Sequence, residues 1–176
     1  MVKLVFKIII NFFKKKLFNY FNFFLFKNNV IYVLTNFNYY WNILFFLNKS
    51  SFFQFKNLID IVVIDFPGNY YRFLISYSLL SINLNLRLNL NFCFKELFSI
   101  ISIKNIFNSS NWLEREIWDF YGIFFIFNND LRRILLDYGF EGYPLRKDFP
   151  IHGYVELFFN QTSNSLFYTN VQLNKD

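Results

Sequence analysis

Apolar and polar positions in this chain recur with two periods, and each period predicts an element. Over residues 86–92, Leu86, Leu88, Leu90 and Phe92 alternate with Arg87, Asn89 and Asn91. That period of two predicts a strand with one face on a core and the other toward water. Two further strands are expected at Leu58–Asp65 and Tyr71–Leu79, joined through Phe66-Pro67-Gly68-Asn69, whose Pro and Gly mark a connection. Tyr20–Phe26 and Val30–Leu34 read as a hairpin closed at Asn28-Asn29, residue types that tolerate the left-handed backbone of a tight turn. Spacing of three and four residues predicts helices elsewhere. One covers residues 4–18. A second covers 37–48, with Phe37, Trp41, Leu44 and Asn48 in a row and Tyr40, Phe45 and Leu47 completing the apolar face. A third is expected to start at Asn111 as cap, with Glu114 answering it three residues on. Its buried stripe is Leu113, Ile117, Phe120 and Tyr121, and Gly122 ends it.

Five strands with helices before, between and after them predict an α+β fold: a single two-layer domain, a mixed β-sheet with helices on one face. The domain is assigned to residues 1–127, of which 1–56 form a helix–hairpin–helix part. From residue 128 to 176 the periodicity fails, and an extended charged and aromatic segment is expected. Four of the five glycines and two of the three prolines fall between residues 122 and 153. A long stretch without regular structure is either functional or disordered, and this one's Phe, Tyr and Leu content argues that it is pinned to a surface. A membrane span is not expected. The uncharged run between Lys27 and Lys49 holds six Asn, Thr35 and three Tyr, and a spanning helix needs about 20 mainly apolar residues.

Composition adjusts this picture. Phe, Tyr, Asn, Ile and Lys exceed half of the 176 residues, and alanine is absent. All five use AT-rich codons, a bias that many organellar genomes share, so an exposed Phe here is weaker evidence for a binding site than usual. Residues 1–56 carry eight Lys and no acid, whereas residues 57–176 carry ten basic and twelve acidic residues. The N-terminus therefore suits nucleic acid, anionic lipid, an acidic partner or plain solvation. It lacks the Arg and Ser of an imported transit peptide.

Candidate chemistry is sparse. One His and one Cys exclude a zinc finger, an iron–sulfur ligand set or a CxxC redox pair drawn from this chain alone. His152 has no nucleophile motif around it and reads as structural, and Cys93 reads as a small buried hydrophobe. Glu116 and Asp119 share a helix face, but Arg115 lies four residues before Asp119, which favours a surface ion pair over paired catalytic carboxylates. No Gly-rich phosphate loop is present. Within residues 130–148, Asp130, Asp137, Glu141 and Asp148 balance Arg132, Arg133, Arg146 and Lys147. Zero net charge argues against phosphate backbones. Mixed charge with Tyr138, Phe140, Tyr143 and Phe149 fits a protein–protein interface, with a self-paired solvated loop as the alternative.

At these residues the chain resembles a known family. Glu114-Arg115-Glu116-Ile117-Trp118-Asp119-Phe120-Tyr121-Gly122, then Asp130-Leu131-Arg132-Arg133-Ile134-Leu135, then the run from Asp137-Tyr138-Gly139-Phe140-Glu141 through Arg146-Lys147-Asp148-Phe149-Pro150 are similar to the 30 kDa subunit family of respiratory complex I. Upstream, Leu58, Asp60-Ile61, Asp65, Pro67, Arg72-Phe73 and Tyr77 follow the family's order, and Gly153–Leu157 continues it downstream, so the likeness spans roughly residues 57–157. Asn128-Asn129 replaces the family's usual His-Pro, which is expected to loosen that turn. Family members usually run on beyond the position of Asp176.

The resemblance implies a non-catalytic subunit in the quinone-reducing module of proton-pumping NADH:ubiquinone oxidoreductase, in the matrix-facing peripheral arm at the mitochondrial inner membrane. It implies no cofactor, metal or catalytic residue on this chain, while the whole complex uses FMN, iron–sulfur clusters, NADH and ubiquinone. The implied partners are other complex I subunits, chiefly the 49 kDa subunit and the neighbouring iron–sulfur subunit of the quinone module. The docking residues it assigns are Trp112, Glu114, Arg115, Glu116, Trp118, Asp119, Asp130, Arg132, Arg133, Asp137, Tyr138, Glu141, Arg146, Lys147 and Asp148. Two other classes share part of the pattern: a mitochondrial ribosomal or RNA-binding protein, from the Lys- and Phe-rich N-terminus, and the related subunit of a membrane-bound hydrogenase.

Overall fold

The computed structural model describes residues 21–27 and 30–172; the helix expected over 4–18 and the Asn28-Asn29 turn lie outside them. Strands β1 (Phe21–Lys27) and β2 (Val30–Thr35) pair antiparallel, with Lys27 opposite Val30. Helix α1 (Tyr40–Lys49) then crosses over to β3 (Asn57–Asp65), which continues into β4 (Phe73–Ser81) and β5 (Leu86–Phe94) as an antiparallel meander. β5 lies parallel to β2, so the five-stranded sheet is mixed and runs β1-β2-β5-β4-β3. Short strands β6 (Ile100–Ile101) and β7 (Phe125–Ile126) pair in parallel on either side of helix α2 (Ser110–Tyr121).

Alternation along the strands puts the core on one side of the sheet. Ile31 and Val33, Ile61 and Val63, Phe73 to Leu79 at every second position, and Leu86 to Phe94 likewise are all buried. Both helices cover that face, which agrees with the expected two-layer α+β domain. In α1 the covered stripe is Tyr40, Ile43, Leu44, Leu47 and Asn48, the spacing of a single helical face. The Tyr40 ring stacks on Phe92 at 4.5 Å, and its hydroxyl donates to the Ile101 carbonyl at 3.0 Å, tying α1 to β6. Phe45 belongs to the other side; it is exposed and stacks on Trp41. The helix also starts three residues later than its pattern predicts, because residues 37–39 turn to bring Phe37 against Phe92.

Among the described residues, no helix covers the opposite face of the sheet. Phe23, Leu25, Val62 and Ile64 are exposed there, around a centre of Ser76, Ser78, Asn89 and Asn91. Cys93 sits on this face, half-buried, which corrects its expected place in the core; partial burial raises its thiol pKa. β3 is an edge strand, and side chains cover part of its free edge. The Tyr121 hydroxyl donates to the Val63 carbonyl at 2.9 Å, and the Asp60 carboxylate accepts the Ile61 N–H at 2.8 Å. Such covering keeps an edge from pairing with another chain.

Beyond β7 the chain runs without regular structure and then forms a hairpin, β8 (Val155–Asn160) with β9 (Ser165–Asn170), turning through Asn164 at φ 50°. The hairpin corrects the expectation of an extended segment over these residues. Among the described residues, no helix is long and apolar enough to cross a membrane.

Candidate functional site

Residues 128–150 wrap the end of the domain where α2, β3 and β5 finish, and their polar side chains fasten them there. Asp119 is the first fastening point. It is fully buried on α2, and its Oδ2 accepts the backbone N–H groups of Ile134, Leu135 and Leu136 at 3.1, 2.9 and 2.9 Å. Its Oδ1 pairs with Arg133 Nη1 at 2.9 Å. Burial alone would raise this carboxyl's pKa, but the three N–H groups and the guanidinium hold it below the usual carboxylate range. The expected Arg115–Asp119 surface pair does not form. Arg115 instead donates to the Arg132 and Arg133 carbonyls at 3.3 and 3.2 Å and approaches Asp130 at 3.8 Å.

Arg133 is committed on all sides. It also donates to the carbonyls of Asp119, Phe140 and Gly142 at 2.9, 2.9 and 3.2 Å. Its guanidinium faces the rings of Trp118 at 5.6 Å and Tyr143 at 5.4 Å. Arg146 takes the other cation contact with Tyr143, at 4.9 Å. Gly122, left-handed at φ 70°, makes this possible, since a Cβ there would lie 2.5 Å from the Tyr143 ring. The glycine that ends α2 thus also seats the ring between two arginines.

The second fastening point lies at the sheet's end. Arg72 forms a fork with Asp65, Nε to Oδ1 at 2.8 Å and Nη2 to Oδ2 at 2.9 Å, and reaches Glu96 at 2.9 Å and Asp148 at 2.8 Å. Asp65 also accepts the Lys147 N–H at 2.9 Å. Arg146 bridges Glu96 at 2.7 Å and donates to the Tyr121 carbonyl at 2.6 Å. Residues 145–148 are therefore stapled to β3, β5 and the end of α2 together. The Arg72 fork, with help from the Lys147 N–H, depresses the Asp65 pKa against its burial.

A pH dependence follows from Asp65 and Asp119. Both carboxyls have folded pKa values below their unfolded ones. Their contribution is therefore complete above about pH 5, clear of the unfolded value near 4, and is lost as pH falls through the folded values. Stability from urea melts should decline from about pH 5 downward, and Asp65→Asn should make that decline shallower. An equal slope in the variant would remove Asp65 from this account.

Glu114 departs furthest from its expected role. It caps nothing: the helix begins at Ser110, and its cap position Ser109 makes no side-chain capping bond. Glu114 is fully buried, and its carboxylate accepts from Ser102 Oγ at 2.7 Å, the Ile103 N–H at 2.8 Å and the Asn128 amide at 2.9 Å. Asn128 Oδ1 in turn accepts the Asp130 N–H at 3.2 Å. The turn expected to be loose at Asn128-Asn129 is therefore held, although Phe127 before it adopts a left-handed φ of 69°. The expected α2 stripe is also split. Ile117 is buried and Leu113 and Tyr121 pack on the core, while Phe120 is half-buried and lends its carbonyl to the Leu145 N–H.

The remaining expected residues face outward. Trp112 is exposed and donates to Glu116 at 2.5 Å. Arg132 pairs with Asp130 but stays largely in solvent. Asp137, Tyr138, Glu141 and Lys147 are exposed, and so is His152. Asp65, Arg72, Glu96 and Asn128 were not among the assigned site residues. Asp65 and Arg72 stand in the motif that carries the family likeness, but nothing local marks Glu96. Among the described residues, no cluster of His, Cys, Asp and Glu could hold a metal ion.

An α+β domain whose buried motif charges fix one long loop while others stay exposed, with an apolar hairpin left uncovered, has the build of a subunit in a larger assembly. Residues 33–155 match the model of the respiratory-chain NADH dehydrogenase 30 kDa subunit family. The chain is 42% identical over 150 residues, 85% of its length and 76% of the relative's, to NADH-ubiquinone oxidoreductase subunit 9 of Acanthamoeba castellanii. It is 42% identical over 81% of its length to NADH dehydrogenase [ubiquinone] iron-sulfur protein 3 of Beta vulgaris, covering 74% of that protein. It is 41% identical over 76% of its length to NADH-ubiquinone oxidoreductase subunit 9 of Prototheca wickerhamii, covering 69% of that protein. The chain belongs to the complex I 30 kDa subunit family. Other complex I subunits are accordingly its partners, and its eukaryotic relatives fit a mitochondrial location.

The fold is shared with the trypsin-resistant fragment (1–134) of Nqo5, at a TM-score of 0.58 and 20% identity over 72% of this chain and 99% of the fragment. It is also shared with a chain of an archaeal membrane-bound sulfane sulfur reductase, at a TM-score of 0.70 and 21% identity over 82% of this chain and 85% of that one.

Proposed function

We propose that this subunit is a non-catalytic scaffold of the quinone-reducing module, in the matrix-facing peripheral arm of proton-translocating NADH:ubiquinone oxidoreductase, with the 49 kDa subunit as its chief partner. The observation that carries this reading is the division of labour in residues 130–150. Asp119, Arg133, Arg146 and Asp148 hold the loop in shape, which leaves Arg132, Asp137, Tyr138, Glu141 and Lys147 presented on a preorganised surface. Among the described residues, no constellation for hydride, electron or proton transfer accompanies them. A single Cys93 on β5 and a single exposed His152 do not fit an iron–sulfur cluster, despite the words in one relative's name. FMN, the clusters, NADH and ubiquinone then belong to other subunits.

The hairpin supports the same reading. Val155, Leu157, Phe158, Phe159, Leu166, Phe167 and Tyr168 are all exposed, on both of its faces. A two-stranded sheet alone is marginal in water, so these residues suit burial against a partner.

Two arginines adjacent in sequence test the proposal. Arg132→Ala should leave the melting temperature within about 2 °C, as exposed substitutions usually do. It should still lower the amount of subunit in the NADH-dehydrogenase-active band of a native gel. Arg133→Ala should instead open residues 130–143 to protease in the isolated chain. Full assembly of the Arg132→Ala variant would remove this surface from the proposed interface.

A further inference from the structure

Where the loop meets the root of the hairpin, the surface encloses a hollow of about 350 Å³ walled by Phe140, Phe149, Tyr154 and Tyr168, with Asp137 and Glu141 among its lining residues. The rings are set at angles to one another: Phe149 lies 5.9 Å from Phe140, tilted, and 5.3 Å from Tyr154, edge-on at 83°. Gly142, at φ 104°, leaves room for this wall, because a Cβ there would lie 2.8 Å from the Phe149 ring. Among the described residues, no hydrogen bond or ion pair engages the Asp137 or Glu141 carboxylate, and no Lys or Arg lines the hollow. Arg133 shares the Phe140 ring at 5.9 Å, but its donors are spent on Asp119 and on the Phe140 and Gly142 carbonyls inside the domain.

Aromatic faces carry negative quadrupole charge, and two carboxylates at the rim add full negative charge. We propose that this hollow receives an arginine side chain from the neighbouring subunit. A planar guanidinium stacks on the rings and can turn its N–H groups to Asp137 and Glu141, a combination that an ammonium matches less well. The occupant is chosen by charge complementarity: the hollow supplies anionic and π acceptors and, among the described residues, holds no cation. Two of its walls, Tyr154 at the hairpin's root and Tyr168 in β9, belong to the hairpin, so the incoming arginine also holds the hairpin against the loop. This inference rests on the proposed docking of the chain within complex I.

The test uses the assembled complex and the Asp137→Asn/Glu141→Gln double variant, whose exposed, unpaired carboxylates can be neutralised without disturbing the fold. Phenylglyoxal, which modifies arginine, is applied to both complexes, and modified sites are mapped by mass spectrometry. One arginine of a neighbouring subunit, protected in the wild-type complex, should react about tenfold faster in the variant complex, the scale of a lost cation–π contact with its rim charges. The variant subunit should also dissociate more readily at raised salt.

Unchanged reactivity of every partner arginine, with wild-type retention of the variant, would overturn the inference. A carbodiimide crosslink from Glu141 to a partner lysine would overturn it too, as would one to this chain's own Lys175. Absence of the wild-type chain from the NADH-dehydrogenase-active band is a separate result and would sink the proposed function instead.

Discussion

Asp119→Ala should cost about 3–5 kcal/mol, the range for removing one partner of a buried ion pair. The substitution leaves the Arg133 guanidinium, itself only 13% exposed, without its carboxylate. It also orphans three N–H groups, those of Ile134, Leu135 and Leu136. Loss should concentrate in residues 130–150, because the hydrogen bonds of this carboxylate all run to that segment. Hydrogen exchange would show those amides losing protection before the strands do. Asp119→Asn keeps the volume but replaces one acceptor oxygen with a donor amide, so it should recover only part of the stability. A change below about 1 kcal/mol in urea melts of Asp119→Ala would mean that other contacts hold the segment.

Glu114→Ala is the second large effect, about 3 kcal/mol or more, since each buried donor left unpaired costs roughly 1–3 kcal/mol. Three donors converge there: Ser102 Oγ, the Ile103 N–H and the Asn128 amide. They come from both sides of α2 in the chain, so their loss should loosen β6 and the 128–130 turn together. Glu114→Gln is the informative companion. Its oxygen can still accept from Ile103, and Ser102 can rotate to accept instead of donate, but its new amide meets the Asn128 amide. Asn128→Ala in the Glu114→Gln background removes that conflict and should cost less than the two single changes added together. Strict additivity in that double-mutant cycle would show that Glu114 and Asn128 do not act as a unit.

Where one residue's neighbours are its sequence neighbours, the chain was readable. The strand of alternating Leu86, Leu88, Leu90 and Phe92 was legible because burial on one side of a sheet imposes a period of two on the sequence itself. Gly122 was legible as the end of α2 because a left-handed residue at that position is a local demand. Phe45 was misplaced for a compositional reason. With 29 Phe in the chain, hydrophobicity barely distinguishes the inner from the outer side of a helix. The same excess hid β8 and β9, whose aromatic runs look like more of what surrounds them.

Polar residues were harder, and Glu114, Arg115, Asp119 and Arg133 show why. Each sits in a motif legible as charged and specific, and each has standard local partners on offer: a cap at three residues, an ion pair at four. Those local pairings are worth only tenths of a kcal/mol in water. The burial of Asp119 and Glu114 made much stronger bonds available, to a loop up to 17 residues away and to segments before and after the helix. Arg72 likewise meets both Glu96 and Asp148 only because β3 and β5 finish, and β4 begins, at the same end of the sheet.

The order of elements, the layer arrangement and the family likeness could therefore be read from the amino-acid order, being properties of short patterns. Which charges are spent inside and which remain for a partner depended on distance in space. Only folding brings those groups together and removes the water that would otherwise make their pairing weak.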